Sequence, residues 1–173
     1  MRKYTEEDLN TFERVNGYLI CPTGDYSAIS SFGEKCRFGE GCRFGAECSF
    51  GVGCSFSEEC RFSEKCSFGA WCSFGEKCGF SEGCSLGAWC SFGAECGFGA
   101  ECGFGEWCSF GERCSFGEKC GFSERCSFGV GCSFGEKCGF SGRCSFGAWC
   151  GFGARCSFGE WCRFVEKYYT PRS

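Results

Sequence analysis

Cysteine is the residue with the greatest capacity for chemistry in this sequence. The 173 residues include 23 cysteines and no histidine. Cysteine thiolates bind zinc and iron–sulfur clusters, and pairs of cysteines form disulfides. Because histidine is the commonest general base and the commonest neutral metal ligand, its absence removes the usual means of acid–base and metal catalysis. We therefore expect a protein that is not an enzyme and has no catalytic residues.

The spacing of the cysteines favours a structural role over a metal site. From Cys36 to Cys162 a cysteine occupies every sixth position, and only Cys21 lies outside this register. Uniform spacing lacks the CxxC pairs that gather thiolates around a tetrahedral ion, whereas cysteine is also a small apolar side chain that is often buried. We expect buried, protonated thiols, no metal and no cofactor. A metal or iron–sulfur site and a partly oxidised disulfide ladder are the alternatives.

The cysteines belong to a six-residue unit, Cys-x-Phe-Gly-x-x. Phenylalanine lies two positions after each repeat cysteine, with Leu86 as the exception. A period of six does not fit the helical repeat of about 3.6 residues, so a single helix would not keep the phenylalanines on one face. Residues two apart share a face of an extended strand, and the glycine that follows provides a bend. Each unit is therefore predicted to form one short strand and one corner of a stacked parallel solenoid.

The outward sixth position of the unit indicates how many units complete one turn. Stacking every third unit, a spacing of 18 residues, aligns Trp71, Trp89 and Trp107 and gives more opposite-charge than like-charge pairs. Stacking every second unit gives mostly like-charge pairs, and the charges alone do not separate a triangle from a square. The tryptophans favour the triangle. The expected charge pairs between successive turns are Glu47–Lys65, Glu59–Lys77, Lys77–Glu95, Glu95–Arg113 and Glu101–Lys119.

The unit resembles the repeat of the hexapeptide-repeat left-handed parallel β-helix family, in which three hexapeptides form one triangular coil. The resemblance covers residues 24–167. It implies an all-β fold, a triangular left-handed parallel β-helix of about eight 18-residue coils; a right-handed solenoid is the alternative. Acyltransferases of that family use a catalytic histidine, and its carbonic anhydrase-like members use a three-histidine zinc site. Neither site has a counterpart in this sequence, so a degenerate acyltransferase-like protein is the least favoured alternative.

The two ends of the chain depart from the repeat. Residues 1–23 are expected to form a cap that covers one end of the solenoid, a short helix with Thr5 as N-cap and Asn16-Gly17 at its end, followed by a short strand. Residues 168–173 form a short C-terminal tail. Because this tail is short, it is expected to leave backbone groups and phenylalanines at the end of the solenoid uncovered, which favours an end-to-end homodimer. The candidate end interface comprises Phe158, Phe164, Val165, Tyr168 and Tyr169.

One corner of the predicted solenoid is a candidate interaction row. It comprises Trp71, Trp89, Trp107, Arg125, Arg143 and Trp161. Stacked tryptophans stabilise one another, and Arg125 is expected to lie over Trp107 as a cation–π neighbour. A row of this kind also suits a protein partner or a glycan, so a binding module is the alternative to a purely structural row.

The sequence as a whole favours a non-catalytic structural or interaction scaffold, a rigid rod that self-associates. The net charge of −4 without a basic block predicts no nucleic-acid partner. No apolar run is long enough to predict a membrane span. The chain begins MRKYTEED without an apolar signal, and free cysteines persist in reducing compartments, so a cytoplasmic location is expected. Scarce threonine disfavours ice binding.

Overall fold

The computed structural model describes residues 1–165, which form one short helix and many short strands. Most strands are two residues long and recur with the period of the sequence. The elements are α1 (Glu6–Leu9), β1 (Arg14–Val15), β2 (Tyr18–Cys21), β3 (Asp25–Tyr26), β4 (Ser31–Phe32), β5 (Cys36–Phe38), β6 (Arg43–Phe44), β7 (Ser49–Phe50), β8 (Ser55–Phe56), β9 (Arg61–Phe62), β10 (Ser67–Phe68), β11 (Ser73–Phe74), β12 (Gly79–Phe80), β13 (Ser85–Leu86), β14 (Ser91–Phe92), β15 (Gly97–Phe98), β16 (Gly103–Phe104), β17 (Ser109–Phe110), β18 (Ser115–Phe116), β19 (Gly121–Phe122), β20 (Ser127–Phe128), β21 (Ser133–Phe134), β22 (Gly139–Phe140), β23 (Ser145–Phe146), β24 (Gly151–Phe152), β25 (Ser157–Phe158) and β26 (Arg163–Phe164).

The strands form three sheets, which are the walls of the solenoid. From β3 onward, each strand pairs in parallel with the strand three further along the chain, as in the order β5-β8-β11. Each residue then lies opposite the residue 18 positions later, as Phe92 lies opposite Phe110. The Gly111 N–H donates to the Phe92 carbonyl at 2.9 Å. The predicted β-solenoid, with an 18-residue turn and about eight turns, is confirmed.

Phenylalanine and cysteine fill the interior. The repeat cysteines from Cys36 to Cys150 are at most 6% exposed. Phe110 lies parallel to Phe92, with ring centroids 4.8 Å apart, and at 86° to Phe104, with ring centroids 5.1 Å apart. Rings of one wall thus stack on each other and rings of different walls meet edge to face, and both are favourable aromatic geometries. Because burying one phenylalanine contributes about 1.5–3 kcal/mol, this column of rings is the main source of stability.

The corners of the solenoid are left-handed turns of the backbone. The residue before a repeat cysteine has a positive φ, which is 61° at Trp89 and 58° at Lys137. This conformation is costly for residues other than glycine. Hydrogen bonds to the next turn offset the cost: the Trp89 N–H donates to the Glu106 carbonyl at 2.9 Å. Corner residues 18 positions apart therefore lie above one another in a fixed row.

The N-terminal residues cover one end of the solenoid with a helix and a hairpin. α1 is a single turn, and β1, which pairs antiparallel with β2, occupies residues that were expected to be helical. Asn16 and Gly17 have φ values of 49° and 83°, as in a tight hairpin turn, so this pair closes a hairpin instead of ending a helix. Tyr4 is 6% exposed and stacks on Tyr26 with ring centroids 4.9 Å apart.

Within residues 1–165, no helix has the length and apolar character needed to cross a membrane. The predicted C-terminal tail, residues 168–173, lies outside the described residues. The left-handed winding, the cytoplasmic location and the exact bounds of the cap and the repeat stay predictions.

Candidate functional site

Three tryptophans stack along one corner of the solenoid. The rings of Trp71 and Trp89 are parallel with centroids 5.0 Å apart, and those of Trp89 and Trp107 have centroids 4.9 Å apart. The Arg125 guanidinium lies over the Trp107 ring at 4.7 Å and extends the stack by a cation–π contact. We define the Trp–Arg corner as Trp71, Trp89, Trp107, Arg125, Arg143 and Trp161.

Beyond Trp107, the Trp–Arg corner opens into a groove of about 630 Å³. Arg125, Arg143 and Arg163 line this groove between Trp107 and Trp161. None of the three arginines has an ion-pair partner among the residues that the structure describes. The groove therefore offers guanidinium groups beside aromatic rings, a combination that suits an anion with an aromatic part.

Other corners carry the predicted charge pairs only in part. The Lys119 Nζ lies 3.2 Å from a Glu101 carboxylate oxygen, and an Arg113 guanidinium nitrogen lies 3.9 Å from a Glu95 carboxylate oxygen. Both pairs are exposed, so solvent screens them and each contributes little to stability. The remaining predicted pairs are not within ion-pair distance in residues 1–165. The charged side chains therefore lie on the corners without forming a continuous series of ion pairs that would fix the register of the turns.

The C-terminal end of the described solenoid exposes apolar side chains. Phe158 is 40% exposed, Phe164 is 51% exposed and Val165 is 62% exposed. β24, β25 and β26 are the last strands of the three sheets, so each has an edge without a partner strand in residues 1–165. Tyr168 and Tyr169, which were predicted to complete this end interface, lie outside the described residues.

The cysteines lie in three rows along the solenoid and are free thiols in the described residues. The neighbouring Cys132 thiol and burial together raise the pKa of Cys150. Burial raises the pKa of Cys156 and of Cys162, which are only partly covered. Thiols with a raised pKa are protonated and weakly nucleophilic at neutral pH. Cys150, Cys156 and Cys162 therefore have the chemistry of a core and not of a reactive site.

Comparison with known families gives a repeated match. The sequence model of RNA-binding, Nab2-type zinc fingers matches residues 31–45, 35–57, 47–63, 65–81, 83–99, 126–141 and 144–165, which together span more than half of the chain. This protein belongs to the RNA-binding, Nab2-type zinc finger family. A search of curated proteins and a search of solved structures each found no match.

Membership of the Nab2-type family corrects two expectations. The assignment to the hexapeptide-repeat left-handed parallel β-helix family is wrong, although the stacked parallel coils that it implied are present. The expectation of no nucleic-acid partner is also overturned, because the matching family is described as RNA-binding. That expectation rested on a net charge of −4, which averages over the whole chain and does not register local groups such as the arginines of the groove.

The zinc ion that a Nab2-type finger implies does not fit the residues of this chain. A CCCH finger uses three cysteines and one histidine, and this sequence has no histidine. Residues 1–165 contain no group of three or more His, Cys, Asp or Glu side chains that could hold a metal ion. Zinc needs four ligands around one point, whereas each row spaces its thiols about 4.8 Å apart along a line. We therefore assign these cysteines no role as zinc ligands.

Sequence reasoning missed three residues that line the groove, Ser127, Ser145 and Arg163. Arg163 occupies the outward strand position between Cys162 and Phe164, whereas the predicted row consists of corner positions alone. The 18-residue turn would have placed Arg163 one turn above Ser145, beside the Trp–Arg corner. The roles predicted for the Trp–Arg corner, in protein or glycan binding, and for the C-terminal end stay predictions.

Proposed function

We propose that this protein is a non-catalytic, rod-shaped scaffold that self-associates through the C-terminal end of its solenoid. The difference between the two ends of the rod carries the proposal. At the N-terminal end Tyr4 is 6% exposed and packs on the first coil, whereas at the other end Phe164 is 51% exposed in the position that Phe146, one turn below, occupies with 1% exposure. The last coil of the described solenoid therefore exposes an apolar face.

The end face is suited to a second copy of the same chain. Among residues 1–165, the edges of β24, β25 and β26 have no partner strand, and such edges pair readily with other strands. A second copy offers the same apolar rings and the same edges, so one two-fold contact would cover both faces. This contact would bury Phe158, Phe164 and Val165 while leaving the corners free.

Catalysis has no part in this proposal. The regular corners carry no inserted loop between residues 36 and 162, and the chain has no histidine. The repeat solenoid fits a structural or interaction role, since it presents long, regular rows of side chains on a rigid frame.

Sedimentation equilibrium of the full chain over a concentration series tests the proposal. We expect a dimer that dissociates on dilution, and we expect Phe164→Asp to give a monomer with an unchanged far-UV circular dichroism spectrum. Val130→Asp is the matched control, because Val130 is 47% exposed but lies on a corner away from the end. A wild-type monomer throughout the series, or a Phe164→Asp variant that still dimerises, would overturn the proposal.

Single-stranded RNA binding in the groove of the Trp–Arg corner is a second candidate function. The matching family is described as RNA-binding. Arg143 and Arg163 can contact phosphates, and Trp161, which is 76% exposed, offers a face on which a base can stack. Glu124 precedes Arg125 and Glu160 precedes Trp161 in the sequence, so carboxylates adjoin the corner and we expect modest affinity that falls as salt is raised.

Fluorescence anisotropy with labelled oligouridine tests this second function. We expect the double variant Arg125→Glu and Arg143→Glu to lose binding, while Lys119→Glu with Lys137→Glu, which makes the same charge change on another corner, retains it. Equal loss in both double variants would mean that only net charge matters. Absence of binding at low salt would refute an RNA site in this groove.

A further inference from the structure

Each corner of the solenoid has a carbonyl that the backbone ladder does not use. The carbonyls of the repeat cysteine and phenylalanine accept N–H donors from the next turn, as Cys90 accepts from Ser109 at 3.0 Å. The carbonyl after phenylalanine is different: among residues 1–165, no backbone N–H donates to Gly87 or Gly105 at that position. Gly87 and Gly105 are partly buried, and a carbonyl that is shielded from water is costly to leave without a donor, so a donor from another group stabilises it.

The thiols of the next turn occupy the place of that donor. The Cys108 Sγ lies 3.4 Å from the Gly87 carbonyl oxygen, and the Cys126 Sγ lies 3.4 Å from the Gly105 carbonyl oxygen. The same contact, from a thiol to the carbonyl 21 residues earlier, recurs through the repeat at nearly constant distance. It is 3.3 Å at Cys54 near one end and 3.4 Å at Cys162 near the other.

Cysteine suits this position for two physical reasons. It is small and apolar enough to pack beside phenylalanine rings, and its S–H group is a donor. Because its C–S bond is long and its sulfur is large, the cysteine side chain reaches the carbonyl oxygen at 3.4 Å. A serine hydroxyl at the same site would remain farther from the carbonyl oxygen than the usual O···O hydrogen-bond distance of about 2.8 Å.

We propose that the repeat cysteines are hydrogen-bond donors that tie each corner carbonyl to the next turn, so that this member of a zinc-finger family folds without zinc. A thiol must keep its proton to donate, whereas zinc binds the thiolate. The two roles therefore exclude each other at any one cysteine. Phenylalanine rings from the three walls also fill the space between the rows, as at Phe110 and Phe104, where ring centroids are 5.1 Å apart.

Raman spectroscopy of the reduced, full-length protein tests this proposal through the S–H stretching band. We expect a band at the lowered frequency of hydrogen-bonded thiols, with an intensity that equimolar and excess zinc chloride leave unchanged. We also expect the far-UV circular dichroism spectrum and the thermal midpoint to be the same with and without a chelator. Loss of S–H intensity on addition of zinc, or unfolding by the chelator, would overturn the proposal.

Substitution at one corner separates the hydrogen bond from simple packing. Cys108→Val keeps an apolar side chain of similar size but has no donor, so we expect a lower thermal midpoint than for the wild type. Ser109→Ala is the control, because Ser109 is exposed on the outer face of the same strand, and we expect no shift. An unchanged midpoint in Cys108→Val would show that the thiol contact does not stabilise the fold. If Cys108→Val does not fold, the Raman and chelator results decide.

Discussion

Raising the pH from about 7 to about 9.5 is expected to destabilise this protein strongly, because its core is lined with protonated thiols. In the unfolded chain, a cysteine has a pKa of about 8.5. In the folded chain, the neighbouring thiols of the row and burial raise the pKa of Cys60, Cys96 and Cys126. A group with a raised pKa in the folded state stabilises the fold below its unfolded pKa, and this contribution is lost as the pH rises from the unfolded pKa towards the folded one.

The size of the effect follows from the number of thiols. One pH unit above the unfolded pKa, each thiol that stays protonated in the fold lowers the free energy of unfolding by about 1.4 kcal/mol. Cys60, Cys96, Cys126 and Cys150 together give about 6 kcal/mol, which is comparable to the whole stability of an ordinary domain, about 5–15 kcal/mol. The neighbouring thiols and burial also raise the pKa of Cys36, Cys72, Cys84 and Cys120, so these thiols add to the loss.

This loss can be measured by urea unfolding in reducing buffer, followed by far-UV circular dichroism at a series of pH values between about 7 and 9.5. Tyrosine and lysine titrate above this range, so the thiols dominate the change. We expect the urea midpoint to fall progressively above about pH 8. Cys126→Ala should be less stable at neutral pH but lose stability less steeply. A midpoint that is constant or rises with pH would refute the reasoning, and a rise is what zinc-bound thiolates would produce, because metal binding lowers a thiol pKa.

Three further outcomes test the packing and the cap. Phe110→Ala should lower the free energy of unfolding by about 3–5 kcal/mol, while Phe110→Leu should cost less than about 1.5 kcal/mol, both by urea unfolding; equal costs would contradict a packed ring column. Gly105→Ala should cost about 1–3 kcal/mol, because its Cβ would lie 2.5 Å from the nitrogen of the turn below, whereas Gly103→Ala, with nothing within 4 Å, should be neutral by the same assay; equal effects would count against the stacking of the turns. A hydrogen bond from the backbone N–H of Thr5, the helix N-cap, lowers the pKa of Asp8. Hydrogen-exchange protection of the Thr5 amide should therefore be full above about pH 4 and be lost as the pH falls through that lowered pKa. An Asp8→Ala variant with the same pH dependence would contradict this assignment.

The sequence was sufficient for the architecture because the architecture repeats. A cysteine and a phenylalanine two residues apart define the inward face of a strand, and the alignment of Trp71, Trp89 and Trp107 at a spacing of 18 residues selects the length of the turn. A single repeat would have left both open. Many copies of one unit turn a weak local preference into a fixed register.

The N-terminal cap was predicted less well, because it occurs once. Val15 followed by Asn16-Gly17 fits both the end of an amphipathic helix and the turn of a hairpin. Pairing of β1 with β2 decides between them, since it joins the hairpin to the edge of the first coil. That tertiary contact is not visible in local sequence.

The candidate site was predicted in its rows but not in its groove. The Trp–Arg corner follows from the 18-residue turn, whereas the groove depends on Arg163 at an outward strand position that belongs to a wall. The role of the thiols was also only half predicted. Burial follows from composition and spacing, but the unused carbonyl at each corner, such as that of Gly87, appears only when the backbone hydrogen bonds are traced turn by turn.

The most direct test of the stacked 18-residue turn is a hydrogen-bond scalar coupling at Leu86, the only leucine in the repeat. With carbonyl-13C leucine and 15N glycine, we predict a coupling across the hydrogen bond from the Gly105 N–H to the Leu86 carbonyl, where nitrogen and oxygen are 2.8 Å apart, and its loss in Gly105→Ser. A coupling from Leu86 to Gly99 or Gly111 would mean a shorter or longer turn, and the absence of any coupling beyond the adjacent Gly87 would mean that the coils do not stack.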